Sequence, residues 1–115
     1  MKTLEKADSI SEKEREFLRR VKKTVLGLQP TAQVLLFGSV ARGDQGNDSD
    51  YDVLILTDQP LATSEEDAIE DALYDLQLGC GALICAVFYS KDEWDSPSTH
   101  VLPLYKEIER DAVAL

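Results

Sequence analysis

The sequence predicts an α/β domain in which helices pack on a small central sheet, and three observations carry that prediction. Short apolar runs alternate with amphipathic helical stretches, and glycines and prolines separate them. A chain of 115 residues with 43% hydrophobic and 30% charged content can build one core and solvate its outside. The expected organisation is therefore a single domain over residues 1–115, without internal repeat, linker or low-complexity tract.

The first element is a helix. Phe17, Leu18, Val21, Val25 and Leu26 recur at helical spacing, and Ser11 followed by Glu14 has the form of a capping box. Gly27 and Pro30 stop it. Residues 33–37 then form a nearly continuous apolar run, the signature of a strand buried on both faces, and Gly38 closes that strand. Residues 40–49 are polar and dotted with Gly43 and Gly46, more than a plain hairpin needs, before a second apolar strand at residues 51–56. Ser64 reads as the N-cap of a second long helix, with Glu65, Glu66 and Asp67 suiting the helix dipole in its first turn. Ile69, Leu73 and Leu76 form its buried stripe. After Gly79 and Gly81 a third strand covers residues 82–89, followed by a polar turn holding Trp94. A last helix, residues 102–111, buries Leu104, Tyr105 and Ile108.

Charge and cysteine usage narrow the function classes. Twelve basic against twenty-two acidic residues give −10, which opposes a large nucleic-acid footprint. Residues 1–30 hold eight basic and five acidic side chains, so the remainder holds four basic and seventeen acidic ones. A ligand with negative phosphates needs cations to approach such a surface. No apolar run nears the ~20 residues that span a bilayer, and the first residues lack the apolar stretch of a signal peptide, so no membrane partner and a cytoplasmic location are expected. Cys80 and Cys85 are expected as small buried residues in a reducing compartment; on one extended segment their spacing would turn them to opposite faces. One histidine and two cysteines make a poor structural zinc set.

The chemistry concentrates between Phe37 and Asp52. At the head of an apolar strand, the spacing of Asp50 and Asp52 places both carboxylates on one face, and their repulsion is relieved by a proton or a divalent cation. A bare Asp-x-Asp is also what a solvated strand end looks like. Gly38-Ser39 adds a backbone that a ligand can approach, with a hydroxyl and amides able to hold an anion. Arg42, one of four basic residues after position 30, suits a phosphate group or another carboxylate. Together these describe a triphosphate pocket beside a metal.

Gly38-Ser39, ten residues, then Asp50-Tyr51-Asp52 resembles the pattern of the minimal nucleotidyltransferases, small members of the DNA polymerase beta-like nucleotidyltransferase superfamily. The longer string from Phe37 through Gly43, the Ser49-Asp50 pair before the apolar strand, and the closing segment at residues 103–110 match as well. The resemblance implies a nucleotidyltransferase fold with a small mixed sheet, with Gly38 and Ser39 on a nucleotide triphosphate and Asp50 and Asp52 as catalytic ligands of Mg²⁺. Arg42 and Ser49 join the nucleotide-binding set. The implied reaction is attack by an acceptor hydroxyl on the α-phosphorus of ATP with pyrophosphate leaving. Several such proteins are antitoxins paired with a helical HEPN-domain toxin, which makes a toxin-like partner the expected source of the acceptor.

One departure qualifies the resemblance. Active members usually carry a third carboxylate on a later strand, and residues 82–89 hold none; Leu83, Ile84 and Cys85 occupy the corresponding region. Without it, acceptor activation lacks its usual base. Two other functions therefore stand beside the enzyme: a weakened module that neutralises a partner by complex formation, and a nucleotide-binding sensor. A homo-oligomer is also open. Among the remaining residues, His100 reads as a surface histidine and Trp94 as an anchor holding a turn on the core. The basic set Arg15, Arg19, Arg20, Lys22 and Lys23 fits either an acidic partner or plain solvation of the first helix.

Overall fold

Continuous apolar runs within Gln33–Phe37 and Tyr51–Thr57, with side chains on both faces to cover, call for helices on each side of the sheet. The computed structural model describes residues 1–43 and 50–115. In chain order it contains β1 (Lys2–Thr3), a single 3-10 turn (Leu4–Lys6), α1 (Glu12–Leu28), β2 (Gln33–Phe37), α2 (Gly38–Arg42) and β3 (Tyr51–Thr57). It continues with α3 (Thr63–Cys80), β4 (Ile84–Ser90), α4 (Lys91–Trp94), α5 (Pro97–His100), α6 (Pro103–Asp111) and β5 (Val113–Ala114).

The sheet has five strands in the order β1-β5-β2-β3-β4. β2 runs antiparallel to β3 with Phe37 opposite Asp52, whereas β4 runs parallel to β3 with Cys85 opposite Asp52. Side chains alternate across the sheet, so Val34, Leu36, Val53 and Ile55 join the core under α1 and α3, while Leu35, Phe37, Leu54 and Leu56 join a second core with Trp94 and Ile108. This mixed sheet with helices on it is the fold class expected from sequence.

The α1 start follows its signal: Ser11 Oγ accepts from the Glu14 amide at 3.2 Å and Glu14 Oε1 accepts from the Ser11 amide at 2.9 Å. Its end corrects the reading, since the helix includes Gly27 and runs to Leu28, just before Pro30. α3 corrects the sequence reading. Its N-cap is Ala62, whose amide donates to Glu65 Oε1 at 3.0 Å, and Ser64 already lies inside the helix. The capping glutamate, with no hydroxyl partner, decides the start. Trp94 is buried and packs its ring 5.2 Å from Tyr89 and 4.9 Å from Tyr105, so the turn after β4 is anchored as expected but is organised as α4 and α5. The terminal strands β1 and β5, two residues each, were not part of the sequence reading.

The cysteines differ from expectation. Cys80 ends α3 and Cys85 lies on β4, so they do not share one extended segment, and both are exposed and free rather than buried. Position at a helix end and on the sheet's outer strand keeps them in solvent.

Candidate functional site

β2 delivers its last residue directly into a turn that only glycine fits. Gly38 has φ +79°, in the left-handed region, and a Cβ built there would collide with Asp52 Oδ2. The Asp52 carboxylate therefore lies against the Gly38 backbone. Ser39 follows on the first turn of α2 and is partly exposed. α2 is held by burying Val40 and Ala41, and Gly43, at φ +78°, caps it with its amide on the Val40 carbonyl at 3.2 Å.

Asp50 and Asp52 face the same side of the sheet. Cys85 pairs in register with Asp52, and its Sγ lies 3.7 Å from Asp50 Oδ2. Burial first, then the charge of Asp50 and that of Glu107, raise the Asp52 carboxyl above its ordinary value, while Arg42 partly offsets this. The Cys85 thiol is also pushed up, by burial and then by the Asp50 and Asp52 charges. A neutral thiol beside two carboxylates is the consequence at neutral pH.

Arg42 is drawn to α6. Its Nη1 lies 3.3 Å from Glu107 Oε1 and 3.8 Å from Asp111 Oδ2. Of the two partners that the sequence left open for this guanidinium, carboxylates are the ones it meets here, with Asp52 close enough to feel its charge. Glu107 and Asp111 were missed in the sequence because the packing of α6 on α2 that brings them to Arg42 has no local signal. Ser49 lies outside the described residues.

The donor chemistry fits a divalent cation: two carboxylates on one face, with a mutual repulsion that a hard cation removes. Among the described residues no group of three or more His, Cys, Asp and Glu side chains is arranged to hold a metal. Cys85 occupies the register position beside Asp52. His100 is exposed and stacks on Tyr105 at 4.3 Å, away from these groups, which agrees with a surface role. On α1, Arg15 donates from Nη2 to the Ala7 carbonyl at 2.9 Å and Arg19 pairs with Glu12 at 3.2 Å.

The family model described as a nucleotidyltransferase domain matches residues 15–113, which contain every element of the site. No curated protein matches the chain. Among the described residues no helix is long and apolar enough to cross a membrane.

Proposed function

The chain belongs to the nucleotidyltransferase domain family, and on that premise we propose that it transfers a nucleoside monophosphate, AMP from ATP, to a hydroxyl on a partner protein in the presence of Mg²⁺. The observation that carries this reading is the seating of the Asp52 carboxylate against the Gly38 backbone, with Ser39 next in chain and Asp50 on the same side. A polyphosphate held at the Gly38-Ser39 corner then lies within reach of both acids. Asp50 and Asp52 are the residues that would hold Mg²⁺, which when bound neutralises the charge developing on the phosphates. Their own part is to fix that charge centre at the head of β3. Arg42 offers a second positive group once nucleotide competes with Glu107 and Asp111 for it.

A HEPN-domain toxin-like protein is the partner proposed, with this chain as its antitoxin. The test is incubation with α-labelled ATP, Mg²⁺ and the protein encoded beside this one. Label should enter that protein and vanish with Asp50→Asn; equal protection against the toxin by wild type and Asp50→Asn, without label, would overturn the reading.

Cys85 favours a second reading. A neutral thiol, rather than a carboxylate, occupies the register position beside Asp52, so β4 offers no base to an acceptor hydroxyl there. On that reading the chain neutralises its partner by complex formation alone, or senses nucleotide without turnover. Cys85→Asp separates the cases: it should raise labelling at least tenfold if the thiol limits transfer, and leave complex formation unchanged.

A further inference from the structure

β4 is the outer strand of the sheet, and its free edge is chemically bare. Its seven residues, Ile84–Ser90, include no charged side chain, no proline and no break in the pairing with β3. Native edges are usually guarded by charge, proline or a bulge. The parallel ladder, with the Tyr51 amide on the Leu83 carbonyl at 2.9 Å, turns the backbone groups of residues 83, 85, 87 and 89 inward and those of 84, 86, 88 and 90 outward. Side chains cap the two ends of the outward row: the Ile84 amide donates to Gln77 Oε1 at 2.7 Å and the Ser90 amide to Glu93 Oε1 at 3.0 Å. Between them, the outward amides of Ala86 and Phe88 meet no protein acceptor among the described residues.

We propose that this edge binds an extended segment of a partner protein as a sixth strand, and that the segment is apolar in its middle and flanked by lysine or arginine. The geometry supplies unpaired amides and carbonyls at strand spacing. Charge selects the occupant. α3, which packs against β4, carries six acidic and no basic residues, and Asp92, Glu93 and Asp95 follow the other end of the strand. A second copy of this chain would bring the same acids to the same edge and be repelled, whereas a basic-flanked strand is attracted. Exposed Leu83, at 58%, and Leu78, at 67%, offer apolar contact near the strand's start.

The added strand would lie one spacing beyond Cys85, and its side chains on that face would point the same way as Asp50 and Asp52. Calling the segment part of the acceptor rests on the proposed function; the docking itself does not. The experiment therefore omits nucleotide and Mg²⁺. The probe is a ten-residue peptide of alternating valine and threonine with two lysines at each end, followed by amide exchange and titration.

Exchange at Ala86 and Phe88 should slow at least tenfold with peptide, and binding should weaken as salt rises. Ala86→Pro removes an outward amide without touching the β3 ladder, and should lower affinity at least tenfold with the fold retained. The same peptide N-methylated at alternate amides keeps charge and composition but cannot pair, and should not bind. Unchanged exchange at Ala86 and Phe88, or equal binding of the methylated peptide, overturns the proposal. Protection of these amides by self-association without peptide also overturns it, in favour of a second copy.

Discussion

At the scale of single residues, the site depends on a glycine that permits contact and an acid that resists ionisation. Gly38→Ala adds a Cβ at a left-handed φ and drives it into Asp52, so both backbone strain and steric conflict act at one place. A loss of about 2 kcal/mol in denaturant unfolding is expected, together with loss of nucleotide binding by calorimetry. Asp52 behaves oppositely. Its folded-state pKa lies above the ordinary 3.8, so the native state holds its proton more tightly than the unfolded chain does. The associated stability is fully present below 3.8 and is lost as pH rises through the raised folded value. Asp52→Asn should therefore melt above wild type in EDTA at pH 7, with the gap closing as pH falls toward 3.8, even though it abolishes transfer. A gap that widens on acidification would contradict the assigned direction.

Elements divide into those with local signals and those made by distant pairing. α1 was readable because one segment contains its cap, its apolar stripe and its stop; Phe17, Leu18, Val21 and Val25 are all buried. Ser11→Ala removes the hydroxyl that holds the Glu14 amide and should cost about 1 kcal/mol, or ~4–8 °C in a thermal melt. The strand β3 and the stripe Ile69 and Leu73 of α3 were legible for the same reason. The two-residue strands β1 and β5 were not, since their identity lies in pairing Lys2 with Val113 and Thr3 with Ala114 across almost the whole chain. The site shows the same division. Gly38, Ser39, Asp50 and Asp52 announce themselves through spacing, but the placement of Cys85 beside the acids depends on the parallel register of β3 and β4, which no local pattern encodes. Its exposure was misjudged because small apolar residues on a strand are usually covered, and this strand is the sheet's last.

Across the whole molecule, charge is the quantity that neither residue nor element explains. A net charge of −10 on 115 residues, with seventeen of the twenty-two acids after residue 30, opposes compaction and opposes any polyphosphate ligand. Two effects of cations follow, and they are separable. General screening shortens the range of self-repulsion, from a Debye length of ~30 Å at 0.01 M salt to ~10 Å at 0.1 M, so the melting temperature should rise over that interval in NaCl. Site binding would add stabilisation by mass action on the native state, where the fold seats Asp52 against Gly38 and holds Asp50 beside Cys85. At matched ionic strength, Mg²⁺ should therefore raise the melting temperature further than Na⁺ does. The double variant Asp50→Asn, Asp52→Asn should lose that extra increment and keep the response to NaCl. Equal increments from the two salts in wild type would mean that the acidic pair gathers no cation, and a polyphosphate would then face the acidic surface without the cation bridge that the proposed transfer calls for.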